Sequence, residues 1–326
     1  MDFKSHPAAV CRLFGIVPDS SPEMLGTGHI NSTYKLTSDG TAYILQSLNP
    51  AVFPRPETVM SNIAAVQKAF SHRDCADVAV PEFLSAGGRN YVIADGRLWR
   101  MYRFAEPGTA DCFTAGLAFG TFMRVISDAE LSPALEGYHD FQSYLLRLEA
   151  VSSGAENELC VTLAGIGRSL AECFPPSLPL RNIHGDAKLD NVITGKVSTV
   201  IDLDTVMKSY AALDYGDLIR SLCPAGTPDT NRIRAATAGF AEGLQGILSP
   251  GEVRSLYSGI LRSACELAVR YLTDFLTGEG YFGRTRAQCH ERAAALTEQL
   301  RSYMSTENVI IGIVREYFPY AFQEEQ

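Results

Sequence analysis

Carboxylate, amide and lysine side chains with a spacing suited to phosphoryl transfer occur in one short stretch of the chain. Four residues separate Asp186 from Asn191, Lys188 lies between them, and Asp202 follows at the end of a short apolar run. Phosphoryl transfer needs a carboxylate that orients or deprotonates the acceptor hydroxyl, and oxygen ligands that hold Mg²⁺. An Asp-x₄-Asn loop followed by a strand that ends in aspartate is the pattern of kinase catalytic loops. The spacing therefore predicts a kinase that uses ATP and Mg²⁺.

Each residue of this stretch has a predicted role. Asp186 is the candidate base, and Lys188 is placed to meet a phosphate oxygen, so both are candidate catalytic residues. Asn191 and Asp202 are candidate metal ligands, because Mg²⁺ binds hard oxygen atoms. His184 is expected to brace the loop rather than to react. The alternative, an ordinary polar turn with surface carboxylates, is disfavoured by the combination of spacing and following strand.

Two further clusters lie later in the chain. Asp214 and Asp217, with Arg220, are expected to be structural, since buried acids beside a catalytic loop commonly brace it through backbone amides and arginine. Arg270 and Tyr281 lie on and after a long amphipathic stretch. On pattern alone, a solvated face with aromatic core packing is the favoured interpretation of this second cluster.

A glycine-containing turn precedes the first predicted strand pair. Gly26 and Gly28 are followed by Asn31, where a dinucleotide-binding motif would have its third glycine, and no parallel βαβ unit follows. A dinucleotide-binding fold is therefore disfavoured. As a lid between two strands, the turn amides and the hydroxyls of Ser32 and Thr33 are placed to cover phosphates or to touch a substrate.

Composition limits the partners. The chain has 326 residues and a formal net charge of −9, whereas a general nucleic-acid binder needs a basic stripe, so no nucleic-acid partner is expected. No stretch has membrane-spanning length and no export signal is evident, so no membrane partner is expected. The eight cysteines are scattered without a C-x-x-C pair, as in reduced cytoplasmic proteins. These features predict a cytoplasmic monomer or homodimer.

The first third of the chain has the signals of antiparallel strands. Asp39-Gly40 separates an alternating run at 30–37 from a second run at 43–46, and Asp95-Gly96 joins 91–93 to 98–102. Both dipeptides favour the tight turns of hairpins. Pro56 opens a helical stretch between the two hairpins.

After Pro107-Gly108 the pattern becomes helical, apart from short apolar runs at 181–204. Helices are predicted over 111–127, 138–151, 156–174, 213–222, 230–247, 252–276 and 286–304. The fold class is therefore α+β, with a small antiparallel-sheet N-terminal lobe (1–107) that binds nucleotide and a larger, mostly helical C-terminal lobe (108–326) that carries catalysis and binds substrate. The Pro107-Gly108 region is the predicted hinge.

The catalytic stretch and residues 201–207 resemble the aminoglycoside phosphotransferase and choline kinase superfamily, the phosphotransferase enzyme family, which has a protein-kinase-like two-lobed fold. Within it, several shorter segments are most similar to the N-acetylhexosamine 1-kinases: 26–34, 43–46, Phe53 with the helix after it, 203–207, and Glu266, Arg270, Asp274 and Tyr281-Phe282. The resemblance extends from about residue 24 to residue 285.

This resemblance implies transfer of the γ-phosphoryl group of ATP to the anomeric 1-hydroxyl of N-acetylglucosamine or N-acetylgalactosamine. It implies that Asp186 is the base and that Asn191 and Asp202 hold Mg²⁺. It implies nucleotide contacts from Gly26, Gly28, Ser32, Thr33, Gln46, Arg103 and Phe104. It implies substrate contacts from Asn31, Thr33, Asp186, Arg270, Asp274 and Tyr281.

Three departures from the family pattern bear on these implications. Gln46 stands where many kinases carry a phosphate-binding lysine, which shifts phosphate neutralisation toward Mg²⁺ and loop amides. Lys208-Ser209 replaces a usual Pro-Gly, and the region around 137–141 is shortened. The last two leave other acceptors open, namely choline, homoserine, an aminoglycoside or another sugar.

Two considerations rank these alternatives. An arginine such as Arg270 in the acceptor pocket argues against a cationic acceptor, which calls for aromatic or acidic walls. A catalytically silent nucleotide-binding module is disfavoured because Asp186, Asn191 and Asp202 are all present.

Overall fold

A computed structural model describes residues 6–25, 31–72, 77–105, 108–153, 157–223 and 228–323. The chain divides into two compact units. The first contains residues 1–108, 128–136 and 193–207, and the second contains 109–127, 137–192 and 208–326. Across the described ranges, every helix is too short or too polar to cross a lipid bilayer.

An antiparallel five-stranded sheet with the order β1-β2-β3-β6-β5 forms the first unit's main layer. Its strands are β1 (Glu23–Met24), β2 (Asn31–Ser38), β3 (Thr41–Leu48), β5 (Val92–Ala94) and β6 (Arg97–Arg103). The other elements are α1 (Pro7–Leu13), α2 (Pro56–His72), β4 (Val78–Ala79), β8 (Val192–Ile193) and β9 (Ser198–Val200).

Both predicted hairpins are present. Asp39 and Gly40 have φ angles of 49° and 72° between β2 and β3, and Asp95 and Gly96 have φ angles of 49° and 68° between β5 and β6. Two successive positive φ angles are the geometry of a type I′ turn, whose twist matches that of the flanking strands. The turn chemistry therefore fixes the register of the strands that follow.

The two faces of this sheet have different environments. One face packs on α1 in a core of Val10, Cys11, Phe14, Leu36, Tyr43, Leu45, Trp99 and Met101. Side chains alternate along a strand, so Gln46 and Arg100, which are directly opposite each other in β3 and β6, point to the other face. Thr33, opposite Gln46 in β2, shares that face.

Helix α2 contacts other segments of the first unit. Asn62 of α2 donates a side-chain hydrogen bond to the carbonyl of Ser132 (2.8 Å) and accepts one from the Ser132 amide (2.9 Å). β4 pairs in parallel with β9. β9 leads to a single 3₁₀ turn, Leu203–Thr205, which contacts α2.

Helices make up most of the second unit. They are α3 (Cys112–Val125), α4 (Phe141–Ser152), α5 (Glu158–Leu170), α6 (Ala211–Leu222), α7 (Thr230–Leu244), α8 (Pro250–Arg254), α9 (Leu256–Thr277), α10 (Arg286–Ser305) and α11 (Glu307–Tyr317). The short strands β7 (Arg181–Ile183) and β10 (Met207–Ser209) pair with each other. The helix predicted over 252–276 is divided near Ser255 into α8 and α9, and neither α1 nor α11 was predicted from the sequence.

Glycines allow α3 and α7 to pack backbone to backbone. A methyl group on Gly116 would lie 2.1 Å from the Ala236 carbonyl oxygen, and one on Gly239 would lie 2.0 Å from that of Phe113. Such distances are far below van der Waals contact, so any larger residue would force the helices apart. α3 in turn contacts β7, and its Phe119 and Phe122 pack on His184 in the loop that follows.

Candidate active site

The predicted catalytic loop directly follows β7 in the second unit. Gly185 has a φ of 79°, a left-handed conformation that glycine adopts without steric cost. The carboxylate of Asp214, in the first turn of α6, accepts hydrogen bonds from the amides of His184 (2.7 Å) and Gly185 (2.8 Å). The loop is therefore held by its backbone.

Asp186, Lys188 and Asn191 are brought together by this loop. Lys188 Nζ donates to Asp186 Oδ2 at 2.5 Å, and Asn191 Nδ2 donates to the same oxygen at 3.2 Å and to the Asp186 carbonyl at 2.9 Å. The side chain of Asp186 is 25% exposed. A partly exposed carboxylate, oriented through one oxygen, is able to accept a proton from a bound hydroxyl with the other.

His184 is fully buried below the loop. Its ring packs against Phe119 and Phe122 at centroid distances of 5.4 and 5.5 Å, and its Nδ1 accepts a long hydrogen bond from the Asp186 amide (3.3 Å). This position suits the bracing role expected of His184, because the ring has no exposure through which to meet a substrate.

The two acids of α6 have different surroundings. Burial raises the pKa of Asp214 to about 6, although His184 and the hydrogen bonds from the two backbone amides act to lower it. Asp217 accepts from Arg220 Nε and Nη2 (3.1 and 3.0 Å) and from the Ser263 hydroxyl. Burial opposes ionisation of Asp217, but Arg220 and its other partners outweigh burial and hold its pKa below the usual value.

A buried brace from the segment before α4 also holds the loop, and sequence reasoning did not find it. Tyr138 Oη (3.1 Å) and His139 Nε2 (2.9 Å) both contact the Gly185 carbonyl, and His139 Nδ1 contacts Glu266 of α9 at 2.9 Å. Burial opposes the charged imidazolium, but the Glu266 carboxylate outweighs it and raises the pKa of His139 to about 9. A charged donor therefore meets the carbonyl that immediately precedes Asp186.

Aromatic rings surround the guanidinium of Arg270. Its central carbon lies 5.4 Å from the ring centre of Tyr138, 5.2 Å from Tyr144, 5.3 Å from Tyr281 and 5.6 Å from Phe282. Arg270 Nη2 also donates to the Tyr281 hydroxyl at 3.0 Å. Since Tyr138 also contacts the catalytic loop, Arg270 belongs to the neighbourhood of Asp186.

Asp274 lies one turn further along α9 and is buried. Its two carboxylate oxygens accept from the backbone amides of Tyr281 (3.0 Å) and Phe282 (3.2 Å). The carboxylate therefore holds the turn that carries Tyr281, whose side chain is exposed. Substrate contact by Asp274 stays a prediction.

The residues predicted to contact nucleotide lie in the first unit, except that Gly26 and Gly28 fall outside the described residues. Ser32 and Thr33 lie on β2, and Gln46 Nε2 donates to Thr33 Oγ1 at 3.1 Å. Arg103 ends β6 and is exposed. The Phe104 amide donates to the Ala42 carbonyl at 3.0 Å.

Two residues of the first unit outside the predicted set, Arg100 and Asp204, contact predicted site residues. Arg100 of β6 contacts both Gln46 and Asp204, and Asp204 contacts Asn31. The only sequence signal was the second aspartate of the Ile-Asp-Leu-Asp stretch. Asp202, the first aspartate, is exposed and has a φ of 61°.

The donor atoms present suit a magnesium ion. The amide nitrogen of Asn191 is used in hydrogen bonds to Asp186, so its amide oxygen is the atom that can coordinate a cation. Asp202 offers an exposed carboxylate. Within the described ranges no three His, Cys, Asp or Glu side chains gather as a closed metal site. Amide and carboxylate oxygens are hard ligands of the kind that Mg²⁺ prefers, and this ion retains waters and binds substrate phosphates.

Comparison with known proteins gives consistent matches. The sequence model of the family described as "Phosphotransferase enzyme family" matches residues 23–247. A spectinomycin phosphotransferase, solved with ADP and spectinomycin, is 13% identical with a TM-score of 0.64, and the match covers 90% of this chain and 94% of that chain. A microcompartment-associated aminopropanol kinase is 16% identical with a TM-score of 0.66, covering 89% and 94%. A choline/ethanolamine kinase family protein from Mesorhizobium loti is 16% identical with a TM-score of 0.62, covering 91% and 93%. At these identities the structural matches establish the fold, an α+β kinase-like fold as predicted.

Proposed function

The chain belongs to the phosphotransferase enzyme family, and we propose that it transfers the γ-phosphoryl group of ATP to a hydroxyl group of a small sugar. The observation that carries this proposal is the Asp186 carboxylate, held on one oxygen by Lys188 and Asn191 within a loop whose backbone is fixed. The proposed acceptor is the anomeric 1-hydroxyl of N-acetylglucosamine or N-acetylgalactosamine, on the resemblance of several segments to the hexosamine kinases.

Asp186 is the proposed base. Among the described residues, the side-chain donors to this carboxylate meet Oδ2, which leaves Oδ1 to accept the proton of the acceptor hydroxyl. An anomeric hydroxyl is more acidic than an ordinary alcohol, so a carboxylate is an adequate base. Lys188, at 35% side-chain exposure, lies beside the carboxylate and is proposed to meet a phosphate oxygen.

Mg²⁺ supplies charge neutralisation for the transferring phosphoryl group in this class of reaction. Asn191 and Asp202 are the proposed protein ligands. The ammonium of Lys188 and the hydroxyls of Ser32 and Thr33 are the proposed contacts to phosphate oxygens. Gln46, Arg103 and Phe104 are proposed to line the nucleotide site together with Gly26 and Gly28.

The charge near Asp186 favours a neutral or anionic acceptor over a cationic one. Choline and aminoglycosides are cations, and organic cations bind on aromatic faces. Here the rings of Tyr138, Tyr144 and Tyr281 already surround the Arg270 guanidinium. Burial opposes the charge of Arg270, but the tyrosines and Glu266 hold its pKa above the ordinary value. Arg270 and Tyr281 are therefore proposed to donate hydrogen bonds to sugar oxygens. Asn31 is a further proposed substrate contact, and Asp274 is proposed to serve the substrate site through the turn that carries Tyr281.

An ADP-release assay tests the proposal. ATP, Mg²⁺ and the protein are incubated with N-acetylglucosamine, N-acetylgalactosamine, glucose, galactose, choline, homoserine or an aminoglycoside, and Asp186→Asn serves as the inactive control. We expect the N-acetylhexosamines to stimulate ADP release most strongly. Stimulation by choline alone would replace the proposed acceptor, and no stimulation by any acceptor above the rate with water would refute a sugar kinase.

A further inference from the structure

The face of the sheet that carries Gln46 also carries a buried positive charge on the neighbouring strand. Kinases of this fold place a lysine on β3, where it neutralises phosphate charge. Here β3 has Gln46, and Arg100 of β6 lies directly opposite it in register. Arg100 is only 2% exposed. A guanidinium is retained at such burial only when it is paired and hydrogen-bonded.

The guanidinium of Arg100 is engaged on two sides. Its Nε and Nη2 donate to Gln46 Oε1 at 3.0 and 2.8 Å. Nη1 forms an ion pair with Asp204 Oδ1, and Nη2 donates to Asp204 Oδ2 at 3.0 Å. Burial opposes the charge, but Asp204 outweighs it and holds the pKa of Arg100 above its ordinary value. The fork geometry of arginine permits both contacts at once, whereas lysine offers only a point charge.

Asp204 is used by protein partners rather than presented to a ligand. Its side chain is 3% exposed, and Oδ2 also accepts from Asn31 Nδ2 at 2.9 Å. Asp204 lies in the 3₁₀ turn Leu203–Thr205, which begins immediately after Asp202. The carboxylate of Asp204 therefore ties the turn that follows Asp202 to β6 and to the first residue of β2.

We infer that Arg100 is a positioning residue that anchors the turn after Asp202 through Asp204. Arg100 also fixes the side-chain amide of Gln46. Asp204 is then an anchor rather than a second metal ligand. The inference rests on the proposed function, because it assigns Asp202 to Mg²⁺. It is compatible with the expectation that phosphate neutralisation shifts toward Mg²⁺ and loop amides, because Arg100 does not contact phosphate itself. The buried charge is retained, but on β6, and it acts through the turn rather than by touching phosphate.

Arg100→Lys is the main test, because it keeps the charge and removes the fork. Binding of a fluorescent ATP analogue is measured against Mg²⁺ concentration, and again without Mg²⁺, with thermal unfolding as a check of folding. We expect the Mg²⁺ concentration for half-maximal binding to rise about ten-fold, the equivalent of one lost charge-assisted hydrogen bond, with the Mg²⁺-free affinity changed less. Arg97→Lys, an exposed residue of the same strand, is the matched control and should bind as the parent does.

Two further variants keep the inference falsifiable if Arg100→Lys folds poorly. Gln46→Lys restores a lysine on β3 but places it against Arg100, so we expect weaker Mg²⁺-dependent binding. Asp204→Asn should raise the Mg²⁺ concentration needed for half-maximal nucleotide binding, but saturating Mg²⁺ should still restore that binding. Loss of a true Mg²⁺ ligand would not be restored in this way. A parental Mg²⁺ midpoint in Arg100→Lys, or tighter binding in Gln46→Lys, would overturn the inference. Failure of the parent protein to bind the nucleotide would instead refute the proposed function.

Discussion

The buried pair of His139 and Glu266 makes the pH dependence of stability a test of how the catalytic loop is held. The change is Glu266→Gln, which preserves shape and removes the carboxylate that meets His139 Nδ1 at 2.9 Å. The pKa of His139 is raised from 6.5 to about 9, and this difference corresponds to about 3 kcal/mol of unfolding free energy. Desolvation of Glu266 makes that figure an upper estimate.

The raised pKa of His139 determines how the stability of the protein changes with pH. The folded-state pKa of His139 lies above its unfolded value, so the stabilisation is fully present below pH 6.5 and is lost as the pH rises through about 9. The groups that face this imidazole are Glu266, Asp217, the Gly185 carbonyl and the ring of Tyr138. Within this set Glu266 has the largest effect, so its removal should eliminate most of the pH dependence.

The assay is urea-induced unfolding of the parent and Glu266→Gln at a series of pH values from 6.5 to above 9. We expect the stability difference to be about 3 kcal/mol at the acidic end and to shrink as the pH passes 9. The same measurement on His139→Gln and on the double variant gives the coupling energy between His139 and Glu266. This coupling energy should also be largest at the acidic end and shrink as the pH passes 9. Glu279→Gln is the control, since Glu279 forms an exposed ion pair with Arg147 that contributes little. A difference between parent and Glu266→Gln that does not vary with pH would show that His139 is not the charged partner.

Three other outcomes are expected. Asp186→Asn should lower kcat by about 10²–10⁴-fold with an unchanged unfolding midpoint, as expected for loss of a general base, and parental turnover would rule out that role. Asp202→Ala should weaken Mg²⁺-dependent nucleotide binding in an equilibrium titration, and an unchanged MgATP affinity would contradict a ligand role. Gly239→Ala should lower the free energy of unfolding by about 1–3 kcal/mol in urea denaturation, since the added methyl group would meet the Phe113 carbonyl. Gly165→Ala, at an open and exposed helix position, is the control and should raise it by up to about 1 kcal/mol. Equal effects of the two substitutions would refute the close-packing argument.

Local signals predicted the hairpins and most helices. The two Asp-Gly dipeptides set turns whose geometry depends on only two residues, so sequence-adjacent chemistry is sufficient. α11 was missed because its run of Val309, Ile310, Ile311, Ile313 and Val314 has strand-like composition, although its buried residues have helical spacing. α1 is seven residues long and has no side-chain N-cap, so its pattern is weak.

The candidate site was predictable where its residues are close in sequence. Asp186, Lys188 and Asn191 fall within one loop, and their spacing is itself the signal. Arg100 meets a partner 104 positions away, and His139 meets one 127 positions away. Such pairs depend on how strands and helices assemble, which local pattern does not encode.

The left-handed backbone conformation of Asp202 lowers the folding stability of the protein at this position. A side chain at a φ of 61° costs roughly 1 kcal/mol relative to glycine, although aspartate tolerates this region better than most residues. Glycine would relieve that conformation but would bring no carboxylate. Under the proposed role, the turn therefore illustrates a trade-off between stability and activity at a single residue, and a search for more stable variants would tend to select against catalysis at this position.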